Sequence, residues 1–280
     1  MLVNLKTILA LAEEKGFCVP AFNVYNMESC MGAIYAAEEM RAPVILQVYP
    51  RLMKEDTGYY LSPVILAAAK KATVPVCFHL DHGPSELETT RSLRYGATGI
   101  MLDGSTLPFE ENIALTRRVV QTCAYADVQV EGELGHVGTT NDAEMDEFTT
   151  PEDAKRFVEE TGVACLAVAV GTAHGKYKKP PKLDIERIKA IREATNKTAL
   201  VLHGGSGVPD EEIKKAVAAG VRKMNFATDI CYTFLDTCLE ELQRPDRPVA
   251  IDTFMKKPIE AVKAFCMTRI LLVGADGKAN

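Results

Sequence analysis

Residues 74–83 read Val-Pro-Val-Cys-Phe-His-Leu-Asp-His-Gly, a short apolar run that ends in two histidines, an aspartate and a glycine. The run is β-rich and too short for an ordinary helix, so it reads as a buried strand that delivers polar groups at its C-terminal end. Similar runs recur along the chain. Strands are expected near Cys18–Val24, Pro43–Tyr49, Val74–Leu80, Thr98–Leu102, Val128–Leu134, Cys165–Val170, Ala199–Leu202 and Lys223–Ala227, with starts 24 to 37 residues apart.

The segments between the strands carry helix signals. Thr150-Pro151-Glu152-Asp153 offers an N-cap, a proline at the first helical position and acids in the first turn, with Gly162 as the stop. Pro209-Asp210-Glu211-Glu212 opens another helix, which has Ile213, Ala216 and Val217 on one face and ends at Gly220. Asp184 precedes a stripe of Ile185, Ile188 and Ile191, and Met27, Met31 and Ile34 mark the first helix after a strand. Eight strands alternating with helices over this length is the arithmetic of a (β/α)8 TIM barrel in the α/β class. An open doubly wound sheet is the rival, weakened because no Gly-x-Gly-x-x-Gly follows the first strand. No linker-like stretch interrupts the chain, so residues 1–280 are expected to form a single domain.

Composition narrows the function classes. The 280 residues carry a formal net charge of −6 with 47% hydrophobic residues, enough for one sizeable core. The acidic balance and the lack of a basic run argue against nucleic-acid binding, and no apolar stretch reaches the length of a membrane span. Glu13, Glu14 and Lys15 cut short the apolar N-terminal run, so a secretory signal is not expected. Eight cysteines are scattered without a Cys-x-x-Cys pair, which fits buried thiols in a reducing, cytoplasmic setting.

Polar residues gather where strands end: Asn23, Asp81-His82-Gly83, Asp103-Gly104-Ser105, Glu131 and Glu133, His174-Gly175, His203-Gly204-Gly205-Ser206, and Asn225. In a barrel these ends share one face, where the chemistry sits. Alone, a strand-end histidine is more simply a structural hydrogen bonder. Three on three strands, His82, His174 and His203, each followed by glycine, suit a catalytic zinc site with an open fourth position. His79 reads as a packed or supporting histidine, turned inward with Asp81 by alternation, and His136 as a solvated loop residue. Each glycine-rich loop could be only a tight turn; the two together, with Lys178 and Ser206, suggest a phosphate pocket near the last strands. Asp81 adjoins the first ligand and is placed to exchange a proton with a substrate oxygen. Glu131 and Glu133 alternate onto one face as supporting groups, alternative metal ligands or interior residues. The fifteen residues Gly135–Thr149 are acidic and long enough for a lid, or are simply a solvated acidic loop.

At these residues the chain resembles the class II, zinc-dependent ketose-bisphosphate aldolases, and within them the tagatose-bisphosphate branch. The blocks run nearly end to end: AFNVYN (21–26), HLDHG (79–83), IMLDGS (100–105), VEGELGHVG (130–138), TPEDAKRFVEETGV (150–163), LAVAVGTAHGKY (166–177), LVLHGGSG (200–207) and KMNFATD (223–229). The resemblance implies zinc on His82, His174 and His203, with Glu133 at an alternative metal position and Asp81 as acid/base at the C4 oxygen. It implies substrate phosphate on Gly175, Lys178, Gly204 and Ser206, with Asn225, Thr228 and Asn23 completing the substrate site, and a monovalent cation (Na⁺ or K⁺) nearby. The implied reaction is reversible aldol cleavage giving dihydroxyacetone phosphate and an aldehyde. Relatives of this kind form homodimers or homotetramers, and some tagatose-type members need an accessory subunit.

Three positions depart from the family pattern. Ala227 stands where fructose-specific members carry aspartate, as in tagatose-type enzymes. The lid reads Gly138-Thr139-Thr140-Asn141-Asp142, with Asn141 in place of a carboxylate, so Asp142 or Glu144 is left as the lid acid. Tyr49, followed by Pro50 and Arg51, replaces a small hydroxyl residue that helps hold the distal phosphate. A bulky phenol there would fill or reshape the distal phosphate site, which leaves tagatose or fructose 1,6-bisphosphate and a ketose 1-phosphate with another distal group both open, and makes Arg51 a candidate contact. A non-catalytic phosphosugar-binding or partner subunit on the same scaffold is the alternative, motivated by the lid and opposed by the intact Asp81 and histidine set. A phosphosugar epimerase is a third reading.

Overall fold

The structure is a computed structural model that describes residues 1–135, 148–172 and 181–279. In chain order the elements are α1 (Leu5–Lys15), β1 (Val19–Asn23), α2 (Met27–Glu39), β2 (Val44–Val48), α3 (Pro50–Lys54), α4 (Asp56–Lys71), β3 (Val76–Gly83), α5 (Glu86–Arg94), β4 (Gly99–Leu102) and α6 (Phe109–Ala124). They continue as β5 (Gln129–Leu134), α7 (Pro151–Thr161), β6 (Cys165–Val168), α8 (Ile185–Ala194), β7 (Ala199–Leu202), α9 (Asp210–Ala219), β8 (Val221–Phe226), α10 (Thr228–Gln243), α11 (Ile251–Phe254) and α12 (Lys256–Leu272). The strands are all parallel, each pairs with the next, and β8 returns to β1, closing a (β/α)8 barrel.

Local chemistry accounts for the boundaries. The Thr150 side chain accepts a hydrogen bond from the Asp153 amide, Pro151 takes the first position of α7, and Gly162 ends the helix at φ 73°. Asp184 caps α8 by accepting from the Arg187 amide. The strands are buried on both faces, as parallel strands under helices must be. Helix α1 packs against β1, β3, β5 and β8 and covers the N-terminal end of the barrel, while α12 lies against α2 and α10.

Most strand limits lie within one or two residues of expectation, and two strands extend beyond theirs. β8 starts at Val221, directly after Gly220 (φ 117°) turns the chain out of α9, rather than at Lys223. β3 runs to Gly83 rather than stopping at Leu80, because an irregularity near its end lets pairing resume beyond the polar residues.

Candidate active site

That irregularity decides where the chemistry points. β3 pairs with β4 at His79↔Gly99 and Leu80↔Ile100, then resumes at Gly83↔Leu102, so Asp81 and His82 together oppose Met101. Strict alternation would send these two neighbours to opposite faces. The extra residue, with His82 at φ 46°, turns both toward the mouth of the barrel. Glycine is needed next: a Cβ on Gly83 would lie 2.5 Å from the Met101 carbonyl oxygen.

Opposite His82 stands His203 from the end of β7, with Nδ1 2.8 Å from His82 Nε2 and the rings nearly perpendicular. Each imidazole is backed by a carboxylate on its other nitrogen. His82 Nδ1 lies 2.8 Å from Asp103 Oδ2, and His203 Nε2 lies 2.8 Å from Glu131 Oε1. An outer nitrogen that donates to a carboxylate leaves a lone pair on the inner one, so the two inner nitrogens suit a shared cation. Glu133 Oε2 sits 3.6 Å from His82 Nδ1 and 3.9 Å from His203 Nδ1. Ligand atoms of Asp81, His82 and His203, and of His82, Asp103 and Glu133, form two groups within 4.8 Å.

Without a cation the surrounding carboxylates favour a proton on the pair. Burial acts to lower the pKa of His82, but Asp81, Asp103 and Glu133 outweigh it and push the imidazole up to about 10. The His82 bond overcomes burial at Asp103 and holds its carboxyl below the usual range. His79, fully buried and 3.4 Å from Glu131 Oε2, is lowered to about 3 by burial and by the Lys223 charge, so it is neutral.

Asp81 is held by two amides. Asn23 Nδ2 donates to its Oδ2 at 2.8 Å and Asn225 Nδ2 to its Oδ1 at 3.0 Å. Behind them, Gln47 Nε2 donates to Asn23 Oδ1 at 2.7 Å, and Lys223 Nζ donates to Asn225 Oδ1 at 2.7 Å. The chain therefore places Asp81, His82, His203, Glu133, Asn23 and Asn225 together at one end of the barrel. His136, Asn141, Asp142, Glu144, His174, Gly175 and Lys178 lie outside the described residues.

After β7 the chain turns at Gly204 (φ 65°), and Ser206 Oγ accepts from the Asp229 amide at 3.4 Å in the first turn of α10. Thr228 opens that helix. A hydroxyl beside the unpaired amides of a helix start is a setting that suits phosphate.

On the other side of the mouth is an aromatic rim. The Tyr49 ring centre lies 6.2 Å from that of His82, and the Arg51 guanidinium carbon lies 5.9 Å from both the Tyr49 and Tyr25 rings. Burial, then the Asp81 and Asp103 charges, raise the Tyr49 phenol above its ordinary pKa. Burial and a hydrogen bond with Cys231 raise Tyr25.

Sequence reasoning left Gln47, Asp103 and Lys223 without roles. Asp103 had a visible signal, a carboxylate at a strand end. Lys223 shares its strand face with Asn225, two residues on, and Gln47 precedes Tyr49 by the same interval.

Comparison with known proteins places these features. The family described as fructose-bisphosphate aldolase class-II matches residues 3–278. The crystal structure of the YdjI aldolase from Escherichia coli K12 is 35% identical, with a TM-score of 0.90 and full coverage of both chains. A Coccidioides immitis protein described as a candidate fructose-1,6-bisphosphate aldolase is 29% identical at a TM-score of 0.87, covering 99% of this chain and 98% of its own. The fructose-bisphosphate aldolase Fba of Campylobacter jejuni, 24% identical with a TM-score of 0.83 over 100% and 97% of the two chains, shares the fold.

Proposed function

The chain belongs to the class-II fructose-bisphosphate aldolase family and is a lyase of the aldolase type; on that premise we propose that it cleaves ketose 1-phosphates reversibly to dihydroxyacetone phosphate and an aldehyde. The observation that carries this reading is the carboxylate of Asp81, held on both oxygens by Asn23 and Asn225 beside two facing imidazoles.

In the cleavage direction Asp81 accepts the C4 hydroxyl proton as the C3–C4 bond breaks. C4 becomes the aldehyde carbon, and the bonding pair stays on the C2–C3 half as an enediolate. Protonation at C3 completes dihydroxyacetone phosphate, with Asp142 and Glu144 the candidate lid acids. Zinc on His82, His203 and His174, with Glu133 at an alternative position, supplies Lewis acidity toward the ketose carbonyl. The carboxylate-backed imidazoles support this donor set. Phosphate is assigned to Gly204, Ser206, Asn225 and Thr228 with Gly175 and Lys178, and a Na⁺ or K⁺ ion is assigned nearby.

Tyr49 sets the specificity. Its ring stands close to His82 where a small hydroxyl would help hold a distal phosphate, so the acceptor is not restricted to glyceraldehyde 3-phosphate. Ala227, immediately before α10, supports a tagatose-type or related ketose over fructose 1,6-bisphosphate. The test is to incubate the zinc-loaded protein with dihydroxyacetone phosphate and a panel of phosphorylated and unphosphorylated aldehydes. An aldol product that His82→Ala abolishes is expected; no product with any acceptor would overturn the reading.

The working unit is proposed to be a homodimer or homotetramer. Tyr232, Leu235, Leu239 and Leu242 of α10 are all at least half exposed, and their 3-4-3 spacing forms one apolar seam suited to a second copy. Light scattering on the purified chain should give a mass above 30.6 kDa that Leu239→Glu lowers; a wild-type monomer would shift the argument to an accessory subunit. All eight cysteines are free thiols, six of them buried, which supports a cytoplasmic setting. Among the described residues no helix is long and apolar enough to cross a membrane.

A further inference from the structure

Beneath the mouth lies a lysine for which the reaction chemistry above has no use. Lys223 is fully buried inside the barrel, and its ammonium makes two short polar contacts: 2.9 Å to Glu131 Oε2 and 2.7 Å to Asn225 Oδ1. Each contact leads to a different part of the site. Glu131 turns its other oxygen to His203 Nε2 at 2.8 Å, which leaves His203 Nδ1 facing His82. Asn225 turns its amide nitrogen to Asp81 Oδ1 at 3.0 Å. We propose that Lys223 is a positioning residue that sets, through one ammonium, both the tautomer of the His203 ligand and the orientation of the Asp81 base.

The argument is one of donors and acceptors. An ammonium only donates, so the Asn225 group it meets must be the carbonyl oxygen, and the amide nitrogen is then obliged to face Asp81. Without that donor, the Asn225 amide loses its anchor on the far side and can rotate away from the carboxylate. The same charge offsets Glu131, which must remain an acceptor if it is to receive His203 Nε2–H. A buried ion pair of this kind is often no more stabilising than apolar residues of the same volume. Its geometry instead serves the two groups it orients. Asn23 receives the matching service from Gln47, a neutral donor.

The inference rests on the aldolase reading, with Asp81 as base and His203 as ligand. It is tested on the full-length protein with Lys223→Met, Lys223→Gln, Glu131→Gln and the double variant Lys223→Met/Glu131→Gln. Zinc affinity is read by chelator competition, kcat and KM at saturating zinc, and thermal unfolding on the zinc-free protein. Glu131→Gln should weaken zinc about 10–100-fold while leaving most of kcat at saturating zinc. Lys223→Met should weaken zinc by a similar factor and also lower kcat about 100-fold, with KM within about threefold, because the base has lost its orientation. The double variant, which buries no unpaired charge, should keep the Lys223→Met kcat defect. Lys223→Gln, which keeps a neutral donor, should lose less kcat than Lys223→Met. Wild-type zinc affinity and kcat in a folded Lys223→Met, or wild-type kcat in the double variant should the former not fold, would overturn the proposal. So would a kcat loss wholly explained by the fraction unfolded. Inactivity of the wild-type protein toward every acceptor would instead sink the aldolase reading, while the zinc measurements would still judge the His203 arm.

Discussion

Asp81 and Tyr49 stand at the ends of neighbouring strands, β3 and β2, yet their surroundings differ in kind. Asp81 is nearly buried, and both of its oxygens accept amide donors that are themselves fixed from behind. Tyr49 is 40% exposed, with the His82 ring and the Arg51 guanidinium about 6 Å away. The first environment defines one geometry. The second sets shape and charge while leaving room for different groups. On the proposed reading, chemistry common to every ketose phosphate falls to the first, and discrimination among distal ends to the second.

Substitutions can break this division or sharpen it. Asp81→Asn keeps the shape but removes the proton acceptor, so kcat should fall by about 10²–10⁴, with zinc affinity close to wild type. A steady-state assay beside a zinc titration checks both, and retained activity would move the base elsewhere. Asp103→Asn removes the carboxylate behind His82, and zinc affinity should fall about 10–100-fold. Activity should return at high zinc, which separates ligand support from proton transfer. Tyr49→Ser should act on neither quantity. It should shift the ratio of kcat/KM for phosphorylated over unphosphorylated acceptors by about tenfold, corresponding to about 1.4 kcal/mol, toward the phosphorylated ones. An unchanged ratio would show that the rim does not select.

Much of the barrel could be read in the sequence because its signals are local. Each strand is a short apolar run, and Thr150, Asp184, Gly162 and Gly220 act on their own backbones or within one turn. The convergence of Asp81, His82 and His203 followed from the shared face of strand ends. What alternation could not supply was the bulge that brings Asp81 and His82 to the same side, since it depends on β4 pairing past them. The Lys223 contacts were hidden for a similar reason. Which residue of β8 lies level with Glu131 of β5 is set by closure of the whole barrel, and lysine is ordinarily a surface residue.

The left-handed backbone at His82 has a thermodynamic consequence. Non-glycine residues held at positive φ carry a conformational strain of roughly 1 kcal/mol or more, borne by the folded state alone. The neighbours of His82 hold it there: a pKa raised, against burial, by Asp81, Asp103 and Glu133 marks an attraction that stabilises the fold as long as the imidazole is protonated. His82→Gly relieves the strain but strips these carboxylates of their shared partner, so its zinc-free form is expected to unfold below the parent at neutral pH by calorimetry, with the gap narrowing as the pH rises toward 10. A melting temperature at or above the parent's would show that the strain outweighs the pairing.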